Sequence, residues 1–142
     1  MSSLFIEKKD SLSFTVGEKS PTLNVGPITI INTVRFAGAS GDFNPVHYDQ
    51  DLARSLGFPN FFLMGMLPGA VLAEFASEWL SPLKISELQI RFVGRMWPED
   101  EIILGGEITH IEKDFKITLS AKLWAKTLDN TIKILVSCVA DE

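Results

Sequence analysis

The chain has 142 residues, of which 46% are hydrophobic and 22% charged, and its formal net charge is −5 at pH 7. This composition predicts one folded domain over residues 1–142 and excludes extensive disorder. The acidic balance, 13 basic against 18 acidic residues, argues against a nucleic-acid partner, because such a partner requires a basic surface.

The cysteine count and the apolar segments exclude further kinds of site and location. Cys138 is the single cysteine and there are two histidines, so the sequence predicts neither a disulfide nor a metal site. The first ten residues, MSSLFIEKKD, lack the apolar core of a secretory signal. Residues 55–73 form the longest uncharged run, but two prolines and three glycines interrupt it, whereas a membrane span needs about 20 mainly apolar residues. We expect no membrane partner and a cytoplasmic location.

The N-terminal part of the chain predicts a short strand and a helix. Residues 22–25 favour a strand, closed by a glycine–proline pair. Thr29 is a candidate N-cap, since apolar residues follow it at near-helical spacing. This helix should end at residues 40–42, where a glycine and small polar side chains stand.

The middle of the chain predicts a shaped loop and two more helices. Pro45 makes residues 42–47 a loop, and a short helix is expected over residues 49–56. Residues 66–80 are the best helix candidate, with Pro68 tolerated only in the first turn. The apolar stripe of this helix is predicted at Leu67, Val71, Phe75 and Trp79.

From residue 85 onward the hydrophobic period changes to two, which predicts β-strands. The alternating segments are residues 85–92, 102–108, 117–123 and 132–138, and the turn signals lie at 97–100, 113–114 and 129–130. A helical half followed by antiparallel strands is typical of an α+β fold.

The loop from Ser40 to His47 contains the densest cluster of unusual residues. Asp42 and His47 lie five residues apart on a proline-bent loop, where both side chains can converge on one water for acid and base work. The alternative is a purely structural pair, with Asp42 as a turn residue and His47 packed or exposed. The spacing alone leaves both open.

Gly65 precedes the predicted long helix. The free N–H groups at a helix start, supported by the helix dipole, can stabilise an oxyanion, and glycine lets a substrate approach them. An ordinary helix entry is the alternative interpretation of the same glycine.

These two segments together resemble the MaoC-like hydratase/dehydratase family, which includes (R)-specific enoyl-CoA hydratases and β-hydroxyacyl-thioester dehydratases. Residues 36–47 read FAGASGDFNPVH, similar to the family's phenylalanine–alanine pair followed by S-G-D-x-N-P-x-H, and residues 64–67 read MGML, similar to its H-G-M segment. Phe92 and the turn at 97–100 resemble the later R-F…P-G-D stretch more weakly.

The resemblance implies a hot-dog fold, an antiparallel sheet wrapped around one long central helix, here residues 66–80. It also implies that Asp42 and His47 are catalytic and that the N–H of Gly65 forms the oxyanion hole. Asn44 and Ser40 match the motif as residues that shape the loop or contact substrate. Two positions depart from the pattern, since Met64 replaces a histidine and Glu99 replaces a turn glycine.

The implied reaction is reversible hydration of trans-2-enoyl thioesters, linked to CoA or to an acyl carrier, to (R)-3-hydroxyacyl thioesters. His47 is expected to act as the base, while Asp42 orients the water and supplies the proton for C2. No metal or organic cofactor is expected, because CoA or pantetheine enters as part of the substrate. A homodimer or higher oligomer is implied, with a heterodimer possible.

Two other functions remain open at this point. Some hot-dog thioesterases carry a carboxylate on the central helix, for which Glu74 is the candidate, although it lies on a polar stripe typical of a solvated face. A non-catalytic subunit of a heteromeric dehydratase is the second alternative, and Met64 is the residue that favours it. His110 is predicted on the surface in a turn. Lys84, Arg91 and Arg95 lie on or near the first long strand, where they could meet CoA phosphates, although a solvated sheet face is the favoured role.

Overall fold

The computed structural model describes Ile6 and residues 9–142, so the domain boundary predicted at residue 1 lies outside its described residues. Its helices are α1 (Ile30–Ser40), α2 (Gln50–Ser55) and α3 (Met66–Trp79). Its strands are β1 (Leu23–Val25), β2 (Lys84–Phe92), β3 (Ile102–Lys113), β4 (Ile117–Thr127) and β5 (Ile132–Asp141). All neighbouring strands are antiparallel, in the order β1-β3-β4-β5-β2. The α+β architecture is therefore the predicted one.

Helix α1 begins and ends where its sequence predicts. The Thr29 side chain accepts from the N–H of Asn32, and the Asn32 side chain accepts in return from the N–H of Thr29. This reciprocal pair satisfies two of the donors that a helix start leaves open. Gly41 ends the helix in the left-handed conformation (φ 75°) that glycine adopts without steric cost.

The loop that follows is more ordered than predicted. Residues Pro45–His47 form one 3-10 turn, because Pro45 supplies a suitable φ at its first position and Asn44 caps it. Asp49 then caps α2 by accepting from two backbone N–H groups. The chain thus reaches α3 through a run of capped turns.

The buried stripe of α3 differs from the predicted one. Phe75 and Trp79 are buried as expected, whereas Leu67 and Val71 are only half-buried. The other fully buried side chains of the helix are Pro68, Leu72 and Ala76. Because α3 is apolar on most of its circumference, its periodicity does not specify which face the sheet covers.

The strands extend beyond the predicted segments, because the ladder of hydrogen bonds continues where the apolar alternation stops. Strand β3 pairs with β4 as far as Lys113 opposite Ile117. His110 therefore lies within β3, beside a register shift, and the prediction that it lies in a turn was wrong. Its side chain is exposed, as predicted.

Helix α3 packs against β2, β3 and β4, and the closest approach is at Gly106. A β-carbon there would lie 2.8 Å from Cζ3 of Trp79, so the missing side chain makes room for the indole. The adjacent Gly105 makes the same room for Trp124, which lies opposite it in the ladder. The core forms between α3 and the sheet. The N-terminus of α3 lies at one end of this core, beside the site. Among the described helices, none is long and apolar enough to cross a bilayer.

Candidate active site

A cleft of about 270 Å³ opens where the N-terminus of α3 meets the loop that follows α1. Asp42 and Gly65 both line it. His47 stands beside Asp42, with its Nε2 3.9 Å from an Asp42 carboxylate oxygen. The fold therefore brings together the three residues that the resemblance marks, from segments about twenty residues apart.

The imidazole of His47 is held by the chain segment that leads into α3. Its Nδ1 lies 2.8 Å from the backbone carbonyl oxygen of Phe62, and its ring packs edge-on against the Phe62 ring. A carbonyl oxygen can only accept, so Nδ1 carries the hydrogen. In the neutral ring Nε2 is then an unprotonated acceptor, and it is this nitrogen that points towards Asp42. The side chain of His47 is only 12% exposed, so the surrounding atoms limit the other orientations that its ring can adopt.

The loop around Asp42 is built from a repeated local hydrogen bond. The Ser40 hydroxyl oxygen accepts from the N–H of Asp42, the Asp42 carboxylate from that of Asn44, and the Asn44 side chain from that of Val46. Each side chain bonds the backbone two residues on, as short polar side chains do in turns. Ser40 and Asn44 therefore shape the loop.

Asp42 has two differently placed carboxylate oxygens. Oδ1 accepts from the backbone within the loop, whereas Oδ2 faces His47. With 46% of its side chain exposed, Asp42 is open to the cleft and to solvent. The first oxygen fixes the carboxylate while the second is left for a water or a substrate.

Gly65 stands at the N-cap of α3 in ordinary helical geometry (φ −58°, ψ −35°). Within the part of the chain that the structure describes, no backbone or side-chain acceptor receives its N–H. This donor lies at the positive end of a 14-residue helix and beside the cleft. It can therefore bind an oxygen on which negative charge develops.

Met64 makes the cleft apolar where the family carries a histidine. The methionine is 1% exposed, packed under the cleft that it lines. A histidine in this place would need hydrogen-bond partners of its own. The oxyanion donor is a backbone N–H, so the substitution leaves it in place.

Three residues have a role in the site that sequence reasoning did not assign. Phe62 orients His47, Phe92 covers Gly65, and Arg95 lines the cleft. Arg95 is exposed, as predicted, but it does not lie on a sheet face, because β2 ends at Phe92 and the chain turns before it. No periodicity marks residues 93–96, and only the later part of the motif, which includes Phe92, pointed to this region.

Glu74 lies away from this cleft. It is exposed and borders a separate groove between α3 and β1, with Asn32 and Val71. The fold does not bring Glu74 to Asp42 and His47, so the carboxylate of the thioesterase alternative and the dyad belong to different surfaces. Glu78, its neighbour on the polar stripe, is also exposed, as predicted.

Comparison with known proteins places this geometry in a family. The model of the MaoC like domain matches residues 13–126. A relative from Saccharomyces cerevisiae, the peroxisomal hydratase-dehydrogenase-epimerase, is 30% identical over an alignment of 104 residues, and the match covers 68% of this chain. The matched region is 9% of that protein, so the chain spans about a tenth of its length.

Solved structures share the fold at low identity. An (R)-hydratase from A. caviae involved in PHA biosynthesis has a TM-score of 0.81 at 22% identity, covering 90% of this chain and 96% of its own. The R-hydratase PhaJ1 from Pseudomonas aeruginosa has 0.77 at 19%, covering 92% and 83%. A chain of the ChsH1-ChsH2 complex from Mycobacterium tuberculosis has 0.76 at 20%, covering 89% and 96%. These likenesses confirm the predicted hot-dog fold. The match of the family model over residues 13–126 shows that the chain belongs to the MaoC-like family.

Proposed function

We propose that this chain catalyses the reversible hydration of trans-2-enoyl thioesters to (R)-3-hydroxyacyl thioesters. One observation carries the proposal: Nε2 of His47 faces Asp42 across 3.9 Å, beside a cleft that also holds the unused N–H of Gly65. A base, a carboxylate and an oxyanion donor are the groups that addition of water to an enoyl thioester requires.

The gap between the two side chains suits one water molecule. At 3.9 Å the nitrogen and the carboxylate oxygen are too far apart for a direct hydrogen bond, whereas a water at about 2.8 Å from each can bridge them. Nε2 accepts one hydrogen of this water and Asp42 accepts the other. The lone pairs of the water oxygen are then directed away from both, towards the substrate.

The addition follows from these positions. His47 takes a proton as the water oxygen bonds to C3, and the electron pair of the double bond moves towards the thioester carbonyl. The N–H of Gly65 stabilises the charge on that oxygen. Asp42 takes the second hydrogen of the water and passes it to C2, while His47 returns its proton to the new hydroxyl oxygen, so both side chains end in their starting state. Dehydration reverses each step.

The reaction changes no oxidation state overall and forms no covalent bond to the protein. The base, the carboxylate and the oxyanion donor supply each step, so we infer that neither metal nor organic cofactor is needed, while CoA or carrier-bound pantetheine arrives as part of the substrate. The donor that grips the carbonyl is separate from the pair that holds the water. Loss of the pair that holds the water is therefore expected to lower turnover more than it weakens substrate binding.

The proposal is tested by incubating the purified chain with crotonyl-CoA and measuring two products, the hydrated thioester and free thiol. We expect hydration without thiol release, and chiral chromatography of the product should give the (R) form. Release of thiol without hydration would replace this function by a thioesterase. An inactive chain that hydrates only after a second subunit is added would favour the non-catalytic alternative.

A further inference from the structure

The cleft beside Asp42 carries one charge of each sign. Asp42 and Arg95 are the charged residues among the described ones that line it, and the others are glycines and apolar side chains such as Met64. A cleft that received only a neutral acyl chain would need no cation. The proposed addition of water therefore assigns no role to Arg95.

Arg95 is exposed and its guanidinium lies against two aromatic rings. Its guanidinium lies 4.7 Å from the ring centre of Phe58 and 5.3 Å from that of Phe62. The carbonyl oxygen of Phe62 also fixes His47, so Phe62 is in contact with both the Arg95 cation and the dyad. Cation–π contacts use none of the five N–H donors of a guanidinium as hydrogen bonds, so these donors stay available for a planar acceptor.

The edge of this guanidinium has no protein partner. Across the described part of the chain, no carboxylate lies within 4.0 Å of Arg95, and its side chain makes no hydrogen bond. An arginine oriented by aromatic rings and free at its edge is suited to bind a carboxylate through two parallel hydrogen bonds.

The size of the cleft identifies which anion fits. Arg95 and Gly65 line the same 270 Å³ space, so a group that reaches the guanidinium lies only a few bonds from the carbonyl carbon held at Gly65. The phosphates of CoA lie a whole pantetheine arm beyond the sulfur, whereas an anionic group on a short acyl chain lies a few bonds from the carbonyl. The shared cleft therefore favours an anion that belongs to the acyl group.

We propose that Arg95 binds a carboxylate at the far end of the acyl chain, and that the substrates are short trans-2-enoyl thioesters of dicarboxylic acids. This inference rests on the proposed hydration and specifies its substrate class. Arg95 also offsets the repulsion between such a carboxylate and Asp42, which faces the same cleft. A neutral acyl chain of equal length gains nothing from it.

The experiment compares two five-carbon substrates, trans-glutaconyl-CoA with a terminal carboxylate and trans-2-pentenoyl-CoA with a terminal methyl group. Arg95→Gln should lower kcat/KM for glutaconyl-CoA about tenfold or more, mainly through KM, and leave that for pentenoyl-CoA nearly unchanged. Arg35→Gln is the matched control, since Arg35 is exposed on α1 and outside the cleft. It should change neither substrate.

Two results would overturn the assignment of Arg95. An equal loss for both substrates would mean that Arg95 only supports the aromatic cluster. A loss for pentenoyl-CoA that is absent for pentenoyl-pantetheine would mean that it binds a phosphate. Calorimetry with the unreactive analogues glutaryl-CoA and pentanoyl-CoA gives a readout that does not depend on turnover. If glutaryl-CoA binds more tightly than pentanoyl-CoA and Arg95→Gln abolishes the difference, the carboxylate-binding role of Arg95 is supported even if the chain does not hydrate. If the chain hydrates but the two analogues bind equally, that role is contradicted and the proposed hydration stands.

Discussion

A β-carbon placed on Gly65 would lie 2.9 Å from Cδ1 of Phe92, closer than two unbonded carbons approach. Gly65 has a helical backbone that any residue adopts, so its glycine is required by its neighbour and not by its conformation. Phe92 stands at the end of β2, and its ring forms the wall across from the start of α3. The proposed oxyanion donor is therefore positioned by a contact between sheet and helix.

Replacing Gly65 by alanine should lower hydration without removing the N–H. The methyl group would push the Phe92 ring or the helix start aside, and since a misplacement of about 1 Å costs catalysis about 100-fold, this smaller shift should lower kcat/KM by about tenfold at most. Phe92→Leu in the same chain should restore part of the loss, because it removes the atoms that clash. The measurement is kcat/KM for the two single variants and the double variant. Additive losses would disprove the steric explanation.

The dyad should behave as one unit. Asp42→Asn and His47→Ala should each lower kcat by roughly 10²–10⁴, because each removes one of the two groups that hold the water. The double variant should be little worse than the poorer single one, as is usual for residues that act together.

Melting curves on the same samples separate catalysis from folding. Asp42 is half-exposed, so its replacement should leave the melting temperature nearly unchanged. His47→Ala leaves the carbonyl of Phe62 without its partner, which costs about 1 kcal/mol. If folded Asp42→Asn protein hydrates crotonyl-CoA at the wild-type rate, the dyad has no catalytic role.

Glu99 should be a position where glycine stabilises the fold. It adopts φ 69° in the turn between β2 and β3, a left-handed conformation that costs a residue with a β-carbon about 1–2 kcal/mol. Its side chain is exposed. Glu99→Gly should therefore raise the free energy of unfolding by about 1 kcal/mol, after the larger backbone entropy of glycine is subtracted. Glu99→Ala keeps the β-carbon and should give no gain in a urea titration.

The parts of the site that the sequence predicts are those made by local contacts. Ser40, Asp42 and Asn44 each bond the backbone two residues on, so their arrangement is contained in the motif itself. The start of α3 is similarly marked by Gly65 and Pro68. These local signals made the loop and the helix predictable before any tertiary contact was known.

The residues that were missed depend on distant pairing. Phe92 reaches Gly65 across 27 positions of the chain, and Arg95 meets Phe58 only because the segment after β2 folds back over the loop before α3. Such contacts follow from how the sheet packs on the helix, which no hydrophobic period in the sequence specifies. The face of α3 that is buried was mispredicted for the same reason.

The buried thiol of Cys138 predicts a specific pH dependence of stability. Burial, at 2% exposure, raises the pKa of this thiol from 9.0 to about 11. Between these two values the unfolded chain loses the proton while the folded chain keeps it, so the folded state loses stability as the pH rises. The shift corresponds to about 2–3 kcal/mol. Urea titrations give the free energy of unfolding of wild type and of Cys138→Ala. From pH 9 to pH 11 the wild-type value should fall by about 2–3 kcal/mol more than the Cys138→Ala value. Parallel curves would contradict it.

Strand β2 should pair with a second copy of itself. Among the described strands it is bonded only to β5, which leaves its other edge open, and such edges are normally paired or blocked. An antiparallel pair centred on Gln89 would set Glu87 of one copy opposite Arg91 of the other, twice by symmetry. It would also join Leu88 of one copy to Ile90 of the other on the half-buried face. The strand is thus complementary to itself in both charge and polarity.

Light scattering should accordingly give a particle of twice 15.7 kDa at micromolar concentration. Glu87→Arg would set like charges opposite each other at two places, which should weaken association about tenfold or more. Adding Arg91→Glu to the same chain exchanges the two charges and should restore the wild-type dissociation constant. Gln89 lies on the two-fold axis in this register, so Gln89→Glu should weaken the pair as well, because two carboxylates would then meet. A wild-type monomer would exclude the dimer, whereas a dimer insensitive to Glu87→Arg would mean that another surface forms it.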